Sequence, residues 1–430
     1  MILIKGGTVV DPVKDRLEKL DIVIDKDRIK DLVPCGKISE SDQFELIIDA
    51  QGMIITPGLV DMHVHLREPG HEYKEDIRSG TLAAVAGGFT DIACMPNTDP
   101  VNDNASVTKF ILEKAAAEGF CRVHPVAAIT VAQQGKKLTE FGELKKVGAV
   151  AVSEDGKSVL NSDLMRRAIE YASYCGLAVI SHCEDPFLSD GGVMHEGAVS
   201  TLIGLPGIPS ASEEIMVARD ILLSKLTKCP VHIAHVSTAG SVQLIRMAKE
   251  QGIPVTAETA PHYFSLDHTA VMDYDTNTKV NPPLRTEEDV EAVKNALKED
   301  IIDVIATDHA PHSPLEKEVE FDKAEFGMIG LQTAVPLVLD LVRKGVLELT
   351  QAIKKLSVNP ASILNISWEN INIGKKANLA VIDPEFEYVL TKEMILSKSK
   401  NTPFLGKKLK GLVKFTFVDG ELKFTSKLKS

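Results

Sequence analysis

The stretch Gly58–Gly70, "GLVDMHVHLREPG", decides how the chain is read. It starts as an apolar, β-branched run and ends with His63, His65 and Arg67 at two-residue spacing. Alternate side chains of a β-strand share a face, so this spacing puts two imidazoles and a guanidinium on one side of a strand. Such a face looks either into solvent or into a site that uses nitrogen ligands and a fixed positive charge.

Similar runs recur downstream: "TDIACMP", "RVHPVAAI", "GAVAVSED", "LAVISHCE", "VHIAHVS", "PVTAETAPH" and "DVIATDHAP", eight in all with the first. Between most of them lie helix-like segments. One is "SDLMRRAIEYASYCG", with Ser162 as N-cap and Gly176 as the stop after its last turn; another is "SVQLIRMAKEQG". Strand–helix alternation repeated eight times over about 300 residues predicts a (β/α)8 barrel, with a doubly wound open sheet as the competing arrangement. Both ends of the chain are instead β-rich, and "VDGEL" near the C-terminus is an Asp-Gly hairpin signal. The expected fold class is therefore α/β: a TIM-type barrel over 56–371 and a small β-sandwich domain built from 1–55 and 372–430.

Composition narrows the function. The 430 residues carry a formal net charge of −13, and no Lys/Arg run of the kind a nucleic-acid binder shows. The most basic stretch, "LGKKLKGLVK", alternates with apolar residues and reads as a solvated strand face. No apolar run reaches the ~18 residues that would span a bilayer, and the N-terminus lacks the pattern of a signal peptide. Six scattered cysteines without a CxxC pair argue against a disulfide framework or a thiolate metal site, and for the cytoplasm.

In barrels of this kind chemistry sits at the C-terminal ends of the strands. The first run ends in His63, His65 and Arg67, the second in Asn97, the fourth in Glu154 and Asp155. The fifth ends in His182, the sixth in His235, and the eighth in Asp308 and His312. A lone buried histidine is usually a hydrogen-bonded core residue; four of these imidazoles, His63, His65, His182 and His235, and two carboxylates on one rim point to metal. Nitrogen and carboxylate donors suit zinc, with manganese or cobalt as substitutes. The set exceeds what one tetrahedral ion needs, whereas two ions about 3.5–4 Å apart, sharing a carboxylate, would use it all. Asp308 beside them is placed to accept and return a proton. His71, His124, His195, His232 and His268 lie off the pattern and are expected to be structural or superficial. By strand parity only one of His232 and His235 can face inward, and His262 stays ambiguous.

"HVHLREPG", "CMPNTDPVND", "SHCED", "HIAHVST", "VNPPLR", "ATDHAPH" and "FGMIGLQTA" resemble the motifs of the dihydroorotase family of amidohydrolases, nearly end to end, in its longer type I form. The resemblance implies that His63 and His65 hold one zinc ion, that Asp155 bridges, that His182 and His235 hold a second, and that Asp308 ligates and acts as general base and acid. It implies that His65, Arg67, Asn97, Asn281 and His312 meet the substrate, and that Phe326 and Gly327 offer backbone groups to its ring. The substrate pair would be N-carbamoyl-L-aspartate and dihydroorotate, with a homodimer and a partnership with aspartate transcarbamoylase as further expectations. Glu154 departs from the family's usual aspartate and leaves open which carboxylate binds.

Two other readings compete. Hydantoinases and allantoinases are similar but bridge their metals with a carboxylated lysine, for which only Lys157 is at hand. A non-catalytic scaffold is the alternative of another class. The segment 313–330, long and charged, is expected to be a mobile loop near the pocket, protected from proteolysis by substrate.

Overall fold

The computed structural model describes residues 1–38 and 44–428. Eight strands form one parallel sheet in strict chain order: Leu59–Val64, Phe89–Cys94, Arg122–Ala128, Ala151–Ser153, Ala178–Ser181, Val231–Ile233, Val255–Thr259 and Val304–Ile305. Each lies within one of the eight runs, save that the second begins one residue earlier at Phe89, and helices occupy most of the crossovers. Apolar strands buried on both faces are what a parallel sheet covered by helices requires. Small and medium side chains such as Met62, Ala93, Val126, Ile180 and Val304 cluster together, while a larger apolar cluster joins strands to helices.

The first and last strands come together without a regular ladder. Val64 and His309 form a single parallel bridge, and His65 N–H donates to His309 O at 2.9 Å. The buried Asp61 carboxylate accepts from Thr307 N at 3.1 Å and from His63 N at 3.1 Å. The barrel thus closes through the residues that flank its metal-ligand candidates. Loss of hydration pushes the Asp61 carboxyl up to about 7, against the hydrogen bonds from Thr307 and His63.

Helix boundaries follow local chemistry. The helix Ser162–Cys175 ends at Gly176 in the left-handed region, as expected, but its N-cap is Asn161 rather than Ser162. The Asn161 side chain accepts from Asp163 N and Leu164 N, and that capping position takes precedence. The helix Ala239–Glu250 is capped by Thr238.

The two ends of the chain share a second eight-stranded sheet. Its N-terminal strands are Ile2–Asp11, Arg16–Asp25, Arg28–Pro34, Leu46–Asp49 and Ile54–Pro57; the C-terminal ones are Leu379–Val389, Lys408–Val418 and Glu421–Thr425. Antiparallel pairing of Leu379–Val389 with Ile54–Pro57 joins the two halves. The expected hairpin is present: Asp419 and Gly420 both take positive φ between paired strands. The solvated-face reading of the basic strand holds only in part. Lys408 is exposed, but Lys414 is buried and donates to Leu428 O at 3.0 Å. The six cysteines are free.

Candidate active site

The opening stretch reaches the rim differently from its spacing. The strand ends at Val64, its register with Phe89–Cys94 slips between Asp61 and Val64, and Arg67 has φ of 60°. Strict alternation therefore does not run through to Arg67; a bulged strand end and a left-handed turn carry the side chains inward. His235 and Asp308 also have positive φ, at 35° and 47°. Three residues of one site held in a region costly for side-chain-bearing residues are a mark of functional geometry.

Two donor groups meet at one carboxylate. His63, His65 and Asp155 place ligand atoms within 4.8 Å of one another, and so do Asp155, His182 and His235. Asp155 Oδ1 lies 3.2 Å from His63 Nε2 and 3.9 Å from His182 Nδ1; its Oδ2 lies 3.5 Å from His65 Nε2. Asp308 Oδ1 is 3.6 Å from His63 Nε2 and 3.3 Å from His65 Nε2. His182 Nδ1 and His235 Nε2 are 2.8 Å apart. Glu154 turns away, accepting from Thr130 N at 2.9 Å, so of the two neighbours it is Asp155 that presents its carboxylate here. Lys157 is exposed.

The residues present fit a cation. His63 Nε2 is buried and without a hydrogen-bond partner, although its ring faces Asp155 and Asp308. Burial opposes a charged His63 ring, yet Glu258, Asp155 and Asp308 outweigh it and lift the imidazole well above its ordinary range. His63, His65 and His182 hold Asp155 well below the usual carboxylate range despite its burial. Buried carboxylates that demand positive charge, next to an imidazole nitrogen left open, are a cation site by chemistry.

Outer contacts orient the donors. Asn97 Oδ1 is 2.9 Å from His65 Nδ1, and Asn97 Nδ2 donates to Asp155 Oδ2 at 3.1 Å. Asn97, expected only on the substrate side, therefore also fixes which nitrogen His65 offers. Glu184 lies 3.0 Å from His182 Nε2 and accepts from Asn281 Nδ2 at 2.9 Å; desolvation notwithstanding, His182 lowers its carboxyl to about 2. Glu258, unmarked in the sequence reading, lies 2.6 Å from His63 Nδ1 and 3.3 Å from His232 Nε2. His232 is buried and in neither donor group, and it supports a candidate ligand through Glu258. Of His232 and His235 only His235 joins a donor group, though not by strand alternation, since the strand ends at Ile233 before it. A carboxylate inside the apolar run "PVTAETAPH" was the available signal, because a buried charge must find a partner.

The cluster opens into a cavity of about 260 Å³, a size for a small molecule. His65, Arg67, Asn97, Asn281, His312, Phe326 and Gly327 all line it, with Asp155, His182, His235 and Asp308. Arg67 Nε donates to Pro311 O at 3.1 Å, and its Nη2 is 3.2 Å from His312 Nε2. Among the described residues no other protein acceptor meets the guanidinium. Burial and the adjacent Arg67 hold His312 neutral. The loop 313–330 supplies Phe326 and Gly327 and is fastened by two buried lysines. Lys317 Nζ donates to Glu325 O at 2.6 Å, and Lys279 Nζ to Phe321 O at 2.9 Å. Of the remaining histidines, His124 meets Asp91, His195 meets Arg285, and the buried His262 Nε2 has no partner.

The fold is shared with a solved D-hydantoinase, at a TM-score of 0.83 and 21% identity, covering 98% of this chain and 94% of that one. It is shared equally with the L-hydantoinase (dihydropyrimidinase) of Arthrobacter aurescens, at a TM-score of 0.84 and 23% identity, covering 98% and 95%. Sequence relatives that are 54% and 53% identical define the class: the protein is a cyclic amidohydrolase. The sequence profile described as Dihydro-orotase-like matches residues 52–241. The dihydroorotase of Geobacter metallireducens is 54% identical over 98% of this chain and 99% of its own. That of Acetivibrio thermocellus is 53% identical over 98% of each. The chain belongs to the dihydroorotase family.

Proposed function

We propose that the chain interconverts N-carbamoyl-L-aspartate and (S)-dihydroorotate plus water, a step of pyrimidine synthesis, and that it is of the type I form with two zinc ions. The observation that carries this is a juxtaposition. One cavity is lined by His65, Asp155, His182 and His235 of the donor groups and by the Arg67–His312 pair, whose guanidinium meets no carboxylate among the described residues.

His63 and His65 would hold one ion, His182 and His235 the other, Asp155 both, and Asp308 would lie against the first. When bound, the metals polarise the ring carbonyl and acidify water. The protein's own groups do the rest. Arg67 presents a planar fork that suits the substrate carboxylate, with Asn97, Asn281 and His312 around it and His65 on its metal side. Phe326 and Gly327 border the ring. Burial would raise the Asp308 carboxyl, but His63 and His65 outweigh it and keep it ionised. It can therefore take the proton of the attacking water and deliver it to the ring nitrogen as the amide C–N bond breaks. In the cyclising direction the ureido nitrogen bonds to the side-chain carboxyl carbon and loses its proton to Asp308, which passes it to the departing oxygen as the C–O bond breaks and water leaves.

A neutral hydantoin would leave the buried guanidinium unpaired, which is costly in a dry site. A panel of dihydroorotate, hydantoin and allantoin tests the assignment. Turnover confined to dihydroorotate supports it; preference for hydantoin or allantoin overturns it.

The barrel is taken as residues 56–371, and the terminal sheet, 1–55 with 372–430, as a small β-sandwich. A cytoplasmic homodimer, acting beside or with aspartate transcarbamoylase, completes the proposal. The described residues contain no helix long and apolar enough to cross a membrane.

A further inference from the structure

The substrate wall is tied together by a residue from outside the barrel. Asn401 lies between the strands Leu379–Val389 and Lys408–Val418 of the terminal sheet. It is 4% exposed, and its side chain is fully used against the cavity wall. Oδ1 accepts from His312 N at 3.0 Å. Nδ2 donates to Ala310 O at 3.0 Å and to Gly327 O at 3.1 Å. Its backbone carbonyl accepts from Ile329 N at 3.0 Å. Two carbonyls on one side and an N–H on the other fix the orientation of the amide.

These contacts join two segments that are distant in sequence. Residues 310–312 carry His312 and the carbonyl of Pro311 that receives Arg67 Nε. Residues 326–329 carry Phe326 and Gly327. The segments are pressed together: Gly327 has φ of 136°, and a Cβ there would come within 2.7 Å of Ala310 Cβ. A short parallel pairing of His309 with Met328 adds one further tie. None of the Asn401 partners is a metal-ligand candidate. The amide organises the half of the cavity that faces the substrate carboxylate.

We infer that Asn401 is a positioning residue that sets substrate affinity by locking the Arg67–His312 side of the pocket to the Phe326–Gly327 side. The inference rests on the dihydroorotase reading. Truncating the amide leaves a buried N–H and two buried carbonyls without partners, which frees the wall to shift.

The experiment compares wild type with Asn401→Ala and Asn401→Ser, measuring kcat, KM for dihydroorotate, bound metal and melting temperature. Wild-type turnover of dihydroorotate comes first; its absence would refute the activity itself rather than the role of Asn401. Expected in both variants is a KM raised tenfold or more, with kcat lowered less than threefold and metal content unchanged. An unchanged KM in a folded variant overturns the inference, as does a kcat that falls together with bound metal. Failure of both variants to fold also overturns it, since it would make Asn401 a pillar of the fold.

Discussion

His63 Nδ1 lies 2.6 Å from Glu258 Oε1, and both residues are fully buried. The contact uses one ring nitrogen and thereby fixes the other, Nε2, toward Asp155 and Asp308. His232 holds the second oxygen of Glu258, and Thr256 Oγ1 lies 2.8 Å from His232 Nδ1. A chain of three groups beneath the rim thus sets how one candidate ligand presents itself.

Glu258→Gln should consequently weaken metal binding roughly 10- to 100-fold, the usual cost of losing a carboxylate behind a ligating imidazole. Competition with a chelator of known affinity reads this out without an activity assay. Unchanged metal affinity would make the contact a packing feature only.

Arg67→Ala should raise KM for dihydroorotate about tenfold or more, since each hydrogen bond to a charged group is worth about 1.5–3 kcal/mol. Metal content should stay as in wild type, because Arg67 touches Pro311 and His312 and none of the donor groups. Metal loss at normal KM would contradict its placement on the carboxylate.

Asp308→Asn should lower turnover in both directions by roughly 10²- to 10⁴-fold, the range of a lost general acid–base. The amide keeps the shape and cannot accept the proton. Near-normal rates in either direction would remove Asp308 from the proton path.

Asp91 gives a test of the fold by pH. Its buried carboxylate takes Arg122 Nε and Nη2 at 2.8 and 2.7 Å and lies 2.8 Å from His124 Nε2. Arg122 also reaches Asp419 of the terminal sheet at 2.9 Å. Burial raises the Asp91 carboxyl, but His124 and Arg122 prevail and lower it to about 2. A carboxyl lowered on folding stabilises above its unfolded value near 4, and that stability is lost as pH falls through about 2. Asp91→Asn should therefore lose on the order of 2 kcal/mol at pH 7 by urea unfolding, with the gap to wild type closing toward pH 2. A gap independent of pH would contradict the ion-pair account.

The barrel was legible because parallel strands buried on both faces must be apolar, and eight such runs stand out between amphipathic helices. The candidate ligands were legible because barrel chemistry gathers at strand ends, so His182 and His235 could be found without knowing what they touch. What parity could not supply was the local backbone. His65, Arg67, His235 and Asp308 lie beyond their strands' last residues, three of them at positive φ. Alternation describes strands, and these positions are where strands stop. Glu258 left a faint trace as a charge in an apolar run. Asn401 left none: it sits 89 positions from His312, and a long-range contact made by an amide in a loop has no periodicity to betray it.

The most direct measurement is the rate of dihydroorotate turnover by the purified chain after metal removal and titration with zinc, with bound metal counted at each step. The account predicts a protein inactive without metal whose rate rises to a plateau at two ions per chain, with no turnover of hydantoin. Full activity in the metal-free protein, or a metal-loaded protein that leaves dihydroorotate unchanged both alone and with aspartate transcarbamoylase, would contradict it.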